Sequence, residues 1–376
     1  MSERWDTIVI GLGGMGSAAA LELARRGQRV LGLEQHHAGH DRGSSHGESR
    51  IIRQCYFEHP DYVPLLLRAY DGWHRLEQEV ARPLYFPVGL LISGPPEGEA
   101  VSGARLAATQ HGLTLEELPL AEAARRFPIF HLPPNHAAVF EPNAGYLLVD
   151  DCVEAQWTAA RAAGATLRET EAVRSWNAEG DHVVVRTDRA EYRAERLVIA
   201  AGAWAGQVLA DLKLPLTVAR KVVAWFPAPA AQASHESRMP TFYIERPEGA
   251  FYGFPSLDGR TIKVAEHTGA EPVSDPAAVN RNVTTADLVR IEAFLRATLP
   301  RVSTVVDRSS VCLYTLSPDH HFLIARHPAH PQVVFAAGFS GHGFKFCPVV
   351  GEALADLALE GQTDLPIGFL GLQRLR

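Results

Sequence analysis

Three glycines at 11, 13 and 16, a carboxylate at 34, a thiol at 312 and a lysine closing a glycine-rich run at 345 are the residues of this chain best placed to do chemistry. Gly11-Leu12-Gly13-Gly14-Met15-Gly16 has the spacing that wraps a pyrophosphate. Gly11 permits the sharp turn, Gly13 lets the backbone approach the phosphates, and Gly16 lets the next helix pack on a sheet. Glu34, about 20 residues on, is placed to accept hydrogen bonds from an adenosine ribose. These residues predict a dinucleotide and leave FAD and NAD undivided. Cys312 bears on that choice, because a thiolate is a strong nucleophile towards the electrophilic 8-methyl position of an oxidised flavin. Its competing reading is a small buried core residue, which is what most free cysteines are.

Cations form the second group. An amino-acid carboxylate in an apolar flavin pocket needs fixed positive charge, and an arginine fork holds it at two points, which makes Arg53 the first candidate. Lys345 follows Gly338, Gly341 and Gly343; its ammonium and the N–H groups of that turn would stabilise the negative charge of a reduced flavin. In Thr261-Ile262-Lys263-Val264-Ala265-Glu266-His267, strand alternation turns Lys263 to the same face as Ala265 and His267. A cation there would pull electron density onto oxygen. His36, His37 and His40, or His320 and His321, lack zinc-ligand spacing with a completing pair, so no metal is expected.

These residues need elements to hold them. Thr7-Ile8-Val9-Ile10 reads as a buried strand, residues 17–26 as a helix stopped by Gly27, and Arg29-Val30-Leu31-Gly32-Leu33 as a second strand leading into Glu34. Similar apolar runs return at 196–204 and 332–339, each ending in Ala-Ala-Gly and an aromatic, as strands buried on both faces do. The chain should therefore be α/β, with a discontinuous Rossmann-like nucleotide domain at 1–80, 150–212 and 312–376. A second α+β substrate domain at 81–149 and 213–311 is expected on a mainly antiparallel sheet, from alternating runs such as Lys221-Val222-Val223-Ala224-Trp225-Phe226. A further helix should start near Pro348 and end at Gly361.

Composition narrows the classes. With 376 residues and 46% hydrophobic content, two ordinary cores can be filled. A formal charge of −7 argues against nucleic acid or an anionic membrane as partner. Four scattered cysteines read as reduced thiols, pointing to the cytoplasm, and neither a signal peptide nor a spanning segment is evident.

The run 336–345, the segment His46-Gly47-Glu48-Ser49-Arg50-Ile51-Ile52-Arg53 and Cys312-Leu313-Tyr314-Thr315 together resemble monomeric sarcosine oxidase and N-methyltryptophan oxidase, in order over nearly the whole chain. That resemblance implies FAD attached through its 8α-methyl group to Cys312, and oxidation of N-methyl amino acids with oxygen becoming hydrogen peroxide. It places Arg53 and Lys345 on the substrate carboxylate, His46 and Arg50 nearer the flavin, and Lys263 at the flavin N5 edge as the oxygen-activating lysine. Tyr252, Tyr314 and His267 match active-site positions, and Val173 and Gly202 join the cofactor-binding set. Ser45, Gln54 and Tyr243 depart from the sarcosine oxidase pattern, where histidine, histidine and methionine stand, so the pocket shape differs. The rival expectations are an oxidase of a cyclic or primary amino acid, an oxygen-insensitive dehydrogenase, a non-catalytic flavoprotein and, least of all, an NAD-dependent reductase. A monomer is expected because the resembling enzymes are monomers.

Overall fold

The strand Arg4–Ile10 is buried over its last four residues, because it runs parallel to a neighbour on each side, Val30–Leu33 and Glu191–Ile199, as central strands of α/β sheets do. Glu191–Ile199 pairs in parallel with Val333–Ala337. The apolar runs from the start, middle and end of the chain thus lie side by side in one eight-stranded sheet. The computed structural model describes residues 4–234, 239–269 and 271–375. Its first helix, Gly14–Arg25, starts inside the glycine loop rather than after it. It packs on the helix Cys347–Leu359, where Gly351 lies so close to Ala18 that a Cβ would meet its carbonyl carbon at 2.6 Å.

A second, nine-stranded sheet is antiparallel at its centre, through Thr217–Pro227, Thr261–Glu266, Gly249–Phe254 and Thr241–Arg246. Thr241–Arg246 then pairs in parallel with Leu90–Gly94. Strand alternation divides the labour of its two faces. Phe226, Phe242, Phe251, Ile262 and Val264 pack against Ile291, Phe294 and Leu295 of the helix Thr285–Thr298, with the Phe251 and Phe294 rings 4.5 Å apart. Burying each such side chain contributes about 1.5–3 kcal/mol. The alternate residues form the other face: Tyr243 pairs with Tyr252, Tyr252 with Ala265, and Lys221 with Cys312. Cys312 lies on the strand Arg308–Leu316, which pairs only with the second sheet among the described residues. The expected boundary between 311 and 312 falls inside that strand.

Ser49–Ile52, Gly145–Leu148 and Tyr85–Phe86 form a small third sheet. Just before it, Gly47 and Glu48 take φ of +88° and +68°, and the Ser49 N–H donates to the Gly47 carbonyl at 2.9 Å. This is a γ-turn centred on Glu48 with positive φ, the rarer and more strained γ form. Such a sparsely populated conformation costs a non-glycine residue about 1–3 kcal/mol. No helix among the described residues is long and apolar enough to cross a membrane.

Candidate active site

A cavity of about 1000 Å³ runs from the glycine loop to the patterned face of the second sheet, and Gly11, Gly13, Glu34, Val173, Gly202, Gly338, Gly341 and Gly343 line it. Gly11 has φ +83°, and a Cβ there would meet the Ala200 carbonyl oxygen at 2.6 Å. Gly13, Gly14 and Met15 bring the start of the first helix to the wall, with no side-chain cap on Gly13, a setting that favours an anion. Gly16 is absent from the wall: it packs against Gly11, whose carbonyl its Cβ would strike. The Glu34 carboxylate accepts from Leu12 N at 2.9 Å and His36 N at 3.0 Å. Burial raises its pKa, but His40 and those two N–H groups outweigh that and keep it ionised.

The thiol of Cys312 is buried just behind the wall, whose neighbouring residues are Ser44, Arg50, Leu313 and Tyr314. Its Sγ lies 3.5 Å from Arg50 Nη2 and 3.6 Å from the Ser44 carbonyl. Burial alone would push the thiol up; the Arg50 guanidinium and then His46 outweigh it and bring the pKa to about 6. Gly341 presses on this strand so closely that a Cβ would run into the Tyr314 ring. His46 Nε2 and Thr315 Oγ1 are buried without a protein partner. Orphaned polar atoms, a bare helix start and a glycine cradle in a cavity this long are what a bound FAD needs.

At the far end stand Arg53, Glu58, Tyr243, Tyr252, His267, Tyr314 and Lys345. Arg53 is buried, lies 3.7 Å over the Phe57 ring, donates to the Cys55 carbonyl at 3.3 Å and pairs through Nη2 with Glu58. Burial raises the Glu58 pKa, yet Arg53, His342 and Lys345 hold it down at about 2. Lys345 donates to the His342 carbonyl at 2.6 Å; burial, then Arg53, lower its pKa to about 7. His267 is brought to about 4 first by burial, so its ring is neutral near pH 7. Tyr243 rests against Phe57 at 4.7 Å and His267 at 5.8 Å.

Lys263 and His46 do not reach this wall. Lys263 is buried on the patterned face, but the strand Ser49–Ile52 screens it, and its Nζ donates to the carbonyls of Gly47 and Ser49 at 2.8 and 2.7 Å. Sequence reasoning missed Glu58, although a carboxylate placed five residues after an arginine and beside Tyr56-Phe57 is the available signal. It also missed the meeting of Asp211, His327 and His330, whose ligand-capable atoms lie within 4.8 Å of one another. There His327 Nδ1 accepts from Ala329 N at 3.3 Å, so Nε2 carries the proton it shares with Asp211 at 2.8 Å. This tautomer makes a hydrogen-bonded pair and leaves no lone pair on Nε2 for a metal.

Fold and cavity together define an FAD-dependent oxidoreductase, and the family described as FAD dependent oxidoreductase matches residues 6–357. The chain is 43% identical to monomeric sarcosine oxidase of Streptomyces avermitilis, covering 100% of this chain and 99% of that one. It is 33% identical to N-methyl-L-tryptophan oxidase of Salmonella enteritidis over 96% of both. Among solved structures, NikD, described as an unusual amino acid oxidase, is 30% identical with a TM-score of 0.87 over 98% of each chain. The chain belongs to the monomeric sarcosine oxidase and N-methyltryptophan oxidase family of FAD-dependent oxidoreductases.

Proposed function

We propose that this protein oxidises N-methyl amino acids, converting a secondary amine, oxygen and water into formaldehyde, the primary amine and hydrogen peroxide. The observation that carries this reading is the charge at the cavity's far end. Two basic side chains, Arg53 and Lys345, line it beside one carboxylate, Glu58, which Arg53 already pairs with, so a substrate carboxylate is the partner that would hold Lys345 in its charged form. FAD, when bound, takes two electrons from the amine's C–N bond and passes them to oxygen.

The chain's own residues then have distinct tasks. Gly11, Gly13, Glu34, Val173, Gly202, Gly338, Gly341 and Gly343 would hold FAD, with Gly16 packed behind Gly11, Arg50 beside the ring and His46 behind the wall next to Cys312. Arg53 and Lys345 bind the carboxylate, while Tyr252 and Tyr314 enclose the amine and Tyr243 limits the side chain. Neutral His267 tunes the amine's proton loss, which suits a substrate that reacts as the free base. Cys312 would hold the flavin covalently, its thiolate, formed beside Arg50 and His46, supplying the nucleophile for the 8α carbon. Lys263 serves oxygen activation. The nucleotide domain comprises 1–80, 150–212 and 312–376, the substrate domain 81–149 and 213–311, and the enzyme acts as a cytoplasmic monomer without a metal.

A panel read by peroxide formation tests the substrate. Sarcosine or a larger N-methyl amino acid is expected to exceed pipecolate, proline and glycine in kcat/KM by about tenfold or more, the reach of one well-fitted contact. A preference for a cyclic or primary amino acid would overturn the reading. The carboxylate site has its own signature. Lys345, with its pKa near 7, loses its charge as the pH rises. A simple carboxylate inhibitor lacking an amine is therefore expected to bind about tenfold more weakly for each pH unit above about 7. Titration of the flavin spectrum with the inhibitor from pH 6 to 9 measures this, and a flat Kd would remove Lys345 from the site.

A further inference from the structure

Lys263 is held from a turn whose central residue, Glu48, does not line the large cavity. Two oxygens bonded to one nitrogen at 2.8 and 2.7 Å can be at most about 5.5 Å apart, whereas carbonyls two residues apart in an extended strand are separated by about 6.7 Å. The chain between Gly47 and Ser49 must therefore curl, and the residue that curls is Glu48, in the γ-turn with φ +68°. A glutamate keeps this conformation only where its surroundings over-determine it. Glu48 N donates to Asp150 Oδ2 at 2.9 Å, its carbonyl accepts from Val149 N at 2.8 Å, and its carboxylate accepts from Trp225 Nε1 at 2.7 Å and pairs with Arg308. Arg308 in turn lies 4.0 Å over the Trp225 ring. Behind this latch, Lys263, Ser49, Phe254, Trp225, Glu48 and Arg308 enclose a void of about 10 Å³, room for about one water.

We propose that Glu48 is the positioning residue for Lys263: its latched turn converges two carbonyls on the lysine nitrogen and so fixes the direction of the remaining N–H. The consequence for oxygen rests on the assignment of Lys263 given above. Glu48→Ala removes the latch. Glu48→Gly does so while relieving the backbone strain, which keeps the test alive should the alanine variant fail to fold. In either variant, reoxidation of the substrate-reduced enzyme by oxygen is expected to slow at least about tenfold, while anaerobic reduction by substrate stays within about twofold, since a misplaced group of about 1 Å costs that much or more. Glu48→Gln, able to hold Trp225, should fall between. Acetic anhydride labelling of the native protein, read by mass spectrometry, gives the second measurement: Lys263 should be protected in the unaltered enzyme and labelled in both latch variants. Continued protection of Lys263 in these variants would overturn the inference, whatever happens to the rates. Unchanged reoxidation in Lys263→Met would instead overturn the oxygen assignment, and the labelling result would still decide the role of Glu48.

Discussion

With serine at position 312, all of the flavin will leave the protein on acid precipitation, whereas the unaltered enzyme will carry its colour into the pellet and, after proteolysis, into the peptide containing residue 312. The expectation rests on ionisation. Arg50 Nη2 at 3.5 Å and the neighbouring His46 more than offset burial and hold the Cys312 thiol near 6 rather than 9.0. At pH 7 most of the molecules then carry a thiolate, while a serine hydroxyl in the same place stays protonated and inert. The sign gives a pH dependence as well. Apoprotein mixed with FAD should become labelled faster as the pH rises through about 6, then level off above about 7 once the thiolate is almost fully formed, with about a tenth of the plateau rate at pH 5. Colour released by acid from the unaltered enzyme would show that Cys312 is no linkage and leave a non-covalent oxidase.

Lys263→Met should have the second large effect: reaction of the reduced enzyme with oxygen slowed by about 10²–10³-fold, the usual loss when one preorganised donor is removed from developing negative charge. Methionine approximates the length of the lysine and fits among Phe254, Trp225 and Ser49. The carbonyls it abandons are not left bare, because Ser49 N–H still reaches Gly47 and Arg50 Nη1 still reaches Ser49 at 2.8 Å. The variant should therefore fold, bind flavin and be reduced by substrate under anaerobic conditions. Stopped-flow reoxidation separates the two half-reactions, and peroxide formation within a few-fold of the unaltered enzyme would dismiss the assignment.

Local chemistry made much of this site legible. The glycine spacing and Glu34 carry their own geometry, since a turn, a helix start and a second strand follow within one stretch of chain, and the structure brings them to one wall. Alternation likewise put Lys263, Ala265 and the row through Tyr252 on one face. What sequence could not show depends on which distant segments meet. Nothing local says that the Tyr56 hydroxyl meets His342. Screening of Lys263 by the strand Ser49–Ile52 follows from two separately placed sheets. The domain limit between 311 and 312 crosses the strand Arg308–Leu316 for a related reason: that run is too uniform in pattern to reveal which sheet it joins.

The order of strands in the nucleotide sheet also sets a schedule. Arg4–Ile10 is made long before Val333–Ala337, so its sheet stays incomplete in the meantime, and the first helix, which also packs on the helix Val149–Ala162, waits for Cys347–Leu359. The glycine cradle at 338 to 343 is likewise made long after the glycine loop at 11 to 16. A nascent chain that has not yet reached residue 338 therefore still lacks one wall of its cofactor site. The two walls of that site come together only after synthesis has passed residue 343.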